Sequence, residues 1–212
     1  YKYSAATKLE VGTCPNEIYT NRSEVVRNAV KSFVGGLSDD SRVCITTFND
    51  ENNTTSTGFT KPSTIDTGVI AGQYNTATYT SEGLSKATYE LNSLSQSPNK
   101  KYAILFTDGE TNSTDVSTSA TYLKAAASGG VYAIGTGVTT DVLEKVATAD
   151  NDGKTDKYVK SLSDVTGLAK ALEDIKTEIT TTGSSGTVVD DVDPRFELID
   201  DNGTPLADGA SY

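Results

Sequence analysis

Thr107-Asp108-Gly109-Glu110 is the stretch of this chain best equipped for chemistry. It ends Tyr102 to Phe106, a short apolar run of strand formers without alternation, which predicts a strand buried on both faces near the centre of a parallel sheet. Open α/β sheets hold their ligands at the carboxyl ends of strands, so a hydroxyl and two carboxylates emerge where a ligand would sit. Hard divalent cations take oxygen donors of this kind, and Gly109 lets the chain turn tightly behind the Asp108 carboxylate. By itself an isolated Asp-Gly is more commonly an acidic turn capping the next helix, so the tetrapeptide alone is a weak signal. Composition narrows the chemistry further. The 212 residues include no histidine, which excludes Ser-His-Asp and Cys-His nucleophile systems and most zinc sites. The net charge of -11 disfavours nucleic acid and anionic membrane surfaces and favours cations and basic protein patches. No apolar run reaches membrane-spanning length, and Tyr1 opens without Met or a signal peptide, so the chain is expected to be a piece of a longer one.

The elements that must position these residues follow from periodicity. Residues 1–21 have turn residues at Gly12, Pro15 and Asn16 and no sustained period, and read as a long loop. From Arg22 to Leu37, Val25, Val26, Ala29, Val30, Phe33, Val34 and Leu37 form one helical stripe. Arg42 to Phe48 is a β-branched strand, and Ser56 to Thr60 a weak edge strand reached through a hairpin. Ser63 is expected to cap a short helical turn through Ile70, and Thr80 to Leu94 is helical by the spacing of Leu84, Ala87, Leu91 and Leu94. Beyond the Tyr102 strand, the pattern predicts a helix over Asp115 to Ala127, a strand over Val131 to Ile134 and a helix over Asp141 to Thr148. A short strand at Tyr158-Val159 and a long helix over Asp164 to Thr180 complete it. This alternation calls for a doubly wound, mostly parallel α/β sheet with helices on both faces. Residues 181–186 read as a linker, and 187–212, with a hairpin turn at Asp201-Asn202-Gly203, as the start of a β-sandwich segment.

The order of helix, RVCITTFND strand, edge strand, TATYTSEGL loop, AILFTDGETN strand and VYAIGTGV strand resembles the von Willebrand factor type A domain over residues 22–180. In that family a metal-ion-dependent adhesion site takes a Thr from the loop before the third helix and an Asp from the end of the fourth strand. Thr78, five residues before Gly83-Leu84, and Asp108 match those positions, and Glu110 fits a water-mediated role. The tail VVDDVDPRFELIDDNGTPL looks like the β-rich segment after the A domain in pilus-tip adhesins of Gram-positive bacteria. The family's Asp-x-Ser-x-Ser motif closes a first, central strand, and no such strand precedes Arg22. The literal match Asp115-Val116-Ser117-Thr118-Ser119 follows the Asp108 strand and opens a helix, so it is read as chance. A chain without the first strand should carry a gap about two strand spacings, roughly 10 Å, across. Residues 1–21 would then be an insertion beside the metal-bearing face.

The resemblance implies a cation-dependent adhesion module at a cell surface or pilus tip, without catalysis. Oxygen-only ligation suits Mg²⁺, with Mn²⁺ or Ca²⁺ as substitutes, and an open coordination position would accept an acidic side chain of a host protein or matrix component. Tyr1, Tyr3 and Tyr19, as stiff amphipathic contacts, and Thr111 and Asn112 are the expected ligand-binding residues. A pilus-assembly scaffold with a degenerate metal site competes with this reading, as does a Mg²⁺-dependent phosphoryl-transfer enzyme, for which no phosphate-binding glycine motif is found. The acidic clusters Asp150, Asp152 and Asp156, and Asp190, Asp191 and Asp193, read as solvated turns. A Cys14–Cys44 disulfide would close about 30 residues, contributing roughly 3.5 kcal/mol. The expected placement of the two cysteines at opposite ends of the sheet argues against it.

Overall fold

The computed structural model describes residues 22–49, 54–70, 78–94, 97–108 and 113–183, with main chain alone at 113–115 and 181–183. The predicted loop 1–21, residues 184–186 of the predicted linker and the β-rich tail lie outside these residues, as do Glu110, Thr111 and Asn112, whereas residues 181–183 of that linker continue the last helix. The described elements are α1 (Arg22–Gly35), β1 (Thr46–Thr47), β2 (Thr55–Ser56), two 3₁₀ turns (Pro62–Thr64 and Thr67–Val69), α2 (Thr80–Ser93) and β3 (Tyr102–Thr107). They continue with α3 (Ser113–Ala126), β4 (Gly130–Thr136), α4 (Thr140–Val146), β5 (Val159–Leu162), a 3₁₀ turn (Val165–Gly167) and α5 (Leu168–Gly183).

β3, β4 and β5 form a parallel sheet in that order, with Tyr102 opposite Gly130 and Ala133 opposite Val159. Side-chain alternation along β3 and β4 divides the interior in two. Tyr102, Ile104, Phe106, Tyr132 and Ile134 face α1 and α5, where they meet Ala29, Leu168, Leu172 and Ile175. Ala103, Leu105, Val131 and Ala133 face α2, α3 and α4 and pack on Leu84, Leu91, Val116, Leu123 and Leu143. Helices on both faces of a parallel sheet are the doubly wound arrangement that the alternation of elements predicts.

The strand buried throughout is β4, whereas β3, expected at the centre, has four half-buried residues among its six. The cause lies on the side of β3 away from β4. There β1 belongs to a separate antiparallel pair with β2, in which Thr46 is opposite Ser56 and Thr47 opposite Thr55. A bridge between Val43 and Thr60 and the Thr57 N–H donating to the Ile45 carbonyl at 3.0 Å extend that pair. The predicted strands Arg42 to Phe48 and Ser56 to Thr60 are thus regular only in short pieces. Between β1 and β3 runs a groove of about 780 Å³, bordered by Ile45 and Phe48 on one side and Ile104 and Phe106 on the other. This is the expected gap, and the two flanking strands lie in different sheets.

Candidate metal centre

Asp108 follows the last residue of β3 and is half exposed at the rim of the groove. Thr78 borders the same groove from the segment that leads into α2. That segment is held by main-chain contacts. The Tyr79 N–H donates to the Asn49 carbonyl at 2.9 Å, which ties the entrance of α2 to the end of the β1 segment. Further back, the Arg27 guanidinium donates through Nε and Nη2 to the Ile70 carbonyl at 3.0 and 2.6 Å, which fixes the chain where residues 71–77 begin. Gly83 allows the first turn of α2 to close on β1, since a Cβ there would lie 2.4 Å from the Phe48 ring.

Arg22, the first residue of α1, brings its Nη1 to 3.4 Å from Asp108 Oδ2. Sequence reasoning missed this residue, because an arginine opening a helix carries no sign of the strand end it will meet 86 residues later. The side chains are 64 % and 49 % exposed, so the contact is a solvent-screened ion pair that a competing cation can displace. It also shows that α1 begins at the carboxyl end of β3. Thr80, two residues beyond Thr78, is fully buried, and its Oγ1 has no hydrogen-bond partner among the described residues.

The donor set fits a hard cation. It is oxygen only, and Mg²⁺ binds through one or two carboxylates while keeping several waters. Among the described residues no group of three or more His, Cys, Asp or Glu could hold a metal. The Asp115-Val116-Ser117-Thr118-Ser119 match lies inside α3, with Val116 fully buried, which agrees with its reading as chance. Asp150 Oδ1 accepts the N–H groups of Asp152 and Lys154 at 3.0 and 2.9 Å, so that carboxylate closes its own turn.

Cys44 and Glu90 are among the titratable groups that line the groove. Burial is the main cause that pushes the Cys44 thiol up, with the Glu90 charge adding to it and hydrogen bonds from Thr57 and Thr46 opposing it. Cys44 has no disulfide partner among the described residues, and Cys14 lies outside them. Glu90 is held below the usual carboxylate range by hydrogen bonds, first from Ser56 at 2.5 Å and then from Lys86, whose Nζ is 3.0 Å away. No described helix is long and apolar enough to cross a membrane.

Comparison with known proteins gives this geometry a family setting. Residues 17–178 match the von Willebrand factor type A domain profile. A search of curated proteins found no match. Among solved structures, the chain is similar to the pilus adhesin SpaC from Lactobacillus rhamnosus GG in its open conformation, with a TM-score of 0.62 and 16 % identity over 76 % of this chain and 28 % of that one. It is also similar to proximal thread matrix protein 1 from the mussel byssus, described with a zinc-occupied MIDAS motif, with a TM-score of 0.58 and 21 % identity over 75 % of this chain and 43 % of that one. A von Willebrand factor type A protein from Catenulispora acidiphila aligns with a TM-score of 0.57 and 15 % identity, over 74 % of this chain and 38 % of that one. The chain therefore spans less than half the length of each of these proteins.

Proposed function

Because the chain belongs to the von Willebrand factor type A domain family, we propose that it is a non-enzymatic adhesion module at a cell surface or pilus, gripping an extracellular protein or matrix component through a bound divalent cation. The observation that carries this reading is that Thr78 and Asp108 border one groove at the carboxyl end of β3, on the rim where α/β sheets hold ligands. Mg²⁺ is the proposed ion, with Mn²⁺ or Ca²⁺ as substitutes. The Asp108 carboxylate would bind it directly and Thr78 would supply a neutral oxygen. The cation would supply an open position for a carboxylate of the partner and reverse, locally, the repulsion of the acidic chain. Tyr1, Tyr3, Tyr19, Thr111 and Asn112 would surround that contact, with Glu110 acting through water.

A second reading has its own observation. Arg22 already pairs with Asp108, which suits an assembly scaffold whose metal site has degenerated. One experiment separates the two. Titration calorimetry with Mg²⁺ and Mn²⁺, together with binding to immobilised matrix proteins with and without chelator, should give cation binding that Asp108→Asn abolishes while the thermal midpoint changes little. Adhesion that is equal with and without chelator would favour the scaffold.

A further inference from the structure

We propose that Arg22 selects a carboxylate among the oxygen ligands that a partner can offer at this rim, holding Asp108 while the site is empty and turning to the partner's carboxylate once a cation takes Asp108. This rests on the reading of Asp108 as a cation ligand and adds to it a residue that the reading does not need. The contact that Arg22 makes is a loose one. A single guanidinium nitrogen, Nη1, lies 3.4 Å from a single carboxylate oxygen, Asp108 Oδ2, and among the described residues the arginine has no other ion pair. A guanidinium carries its N–H donors in a planar fork and grips a carboxylate best through two parallel bonds, so most of this side chain's capacity is unused. At 64 % exposure it has room to turn.

Its anchor, in contrast, is fixed. Arg22 is the first residue of α1, whose Val26, Ala29 and Val30 pack in one cluster with Tyr132, Ile134 and Leu168. The guanidinium therefore swings from a rigid point beside the rim, which limits the freedom that a recognition residue loses on binding. Electrostatics supply the reason to swing. A cation on Asp108 neutralises the charge that holds the guanidinium and sets a like charge beside it, and a solvent-screened pair of this kind has little energy with which to resist. A carboxylate arriving at a chain of net charge -11 is otherwise opposed. Arg22, released from Asp108, offers that carboxylate a complementary fork. A neutral amide presents one acceptor oxygen beside an NH₂ group that is itself a donor, so it cannot take both N–H bonds, and Arg22 favours Asp and Glu over Asn and Gln. Lys31, a second exposed cation of α1, lies about 14 Å further along the helix and is too far from the rim for this role.

The test uses the full chain, with Mn²⁺ and Mg²⁺ as the ions and acetate and acetamide as the probes. Calorimetry gives the Mn²⁺ affinity, and relaxation of the probes' carbonyl carbons by protein-bound Mn²⁺, with protein in excess over the ion, gives the probe affinities. Arg22→Gln should leave Mn²⁺ binding unchanged or up to fivefold tighter, while weakening acetate at least fivefold and acetamide less than twofold. A loss of folding would not produce these opposite signs. Arg22→Lys, which keeps the charge without the fork, should fall between, and Lys31→Gln should match the unsubstituted chain. The Nε–H resonance of Arg22, assigned by its absence from Arg22→Gln, should shift when Mg²⁺ is added and again when acetate follows. The proposal is overturned, with the cation reading intact, if the Mn²⁺-loaded chain binds no acetate or if Arg22→Gln keeps acetate affinity within twofold. Weaker Mn²⁺ binding in that variant, an equal acetate loss in Lys31→Gln, or an Nε–H signal that acetate leaves unmoved would overturn it as well. No Mn²⁺ binding by the unsubstituted chain would overturn the cation reading and this proposal together.

Discussion

Arg22 and Asp108 pair with each other at the rim of the groove. Where a divalent ion binds Asp108, it must displace a guanidinium that is 3.4 Å away and largely exposed. Such pairs contribute between 0 and about 1 kcal/mol, so the competition is mild. Arg22→Gln should accordingly tighten Mn²⁺ binding by no more than about fivefold. Calorimetric titration of the two proteins at matched ionic strength measures this, and a weaker affinity in the variant would mean that the arginine supports the site instead of competing for it. Asp108 was legible from the sequence because an acidic residue ending an apolar run has a known position in a parallel sheet. Thr78 needed the family resemblance, since hydroxyl residues fill the loop around it. Arg22 had no local signal at all, because its role arises from a contact across 86 positions.

Among the elements, β4 shows how tightly the sheet and α4 are fitted. A Cβ at Gly135 would lie 2.3 Å from Val138 Cγ2 and 2.9 Å from Leu143 Cδ1, and Leu143 is fully buried. Gly135→Ala should therefore destabilise the fold by about 1–3 kcal/mol, the usual cost of overpacking, seen as a lower urea midpoint with an unchanged slope. Helices were the most legible elements. The Val26, Ala29, Val30 and Phe33 spacing marks α1, and that of Leu84 and Leu91 marks α2, because a helix makes its hydrogen bonds internally and its face alone sets the pattern. Strands were less legible for the converse reason. Arg42 to Phe48 has strand composition, yet regular pairing is confined to Thr46–Thr47 because a strand becomes regular only against a partner. The same open side explains why β3, apolar from Tyr102 to Phe106, is only half-buried over most of its length.

At the scale of the whole molecule, the interior beneath α1 and α5 contains a tyrosine that couples stability to alkaline pH. Tyr132 is 2 % exposed, and its ring centroid lies 4.9 Å from that of Tyr158. Burial first, and then the neighbouring Tyr158 and Tyr102, push its phenol up to about 12. The unfolded chain releases this proton near pH 10 and the folded chain does not, so the stabilisation is complete below about pH 10 and is lost as the pH rises from there to about 12. Urea unfolding at a series of alkaline pH values should show this decline, and Tyr132→Phe should make it shallower. An unchanged profile in the variant would assign the alkaline loss to other groups.

The packing of α1 on α5 also governs how the molecule is born. Val26, Val30 and Phe33 find their partners Leu168, Leu172 and Ile175 in a helix made roughly 130 residues later. At ordinary ribosomal speeds, that interval is about 7 to 25 s. Throughout it the first helix presents an apolar stripe without the cover of α5, the last helix among the described residues.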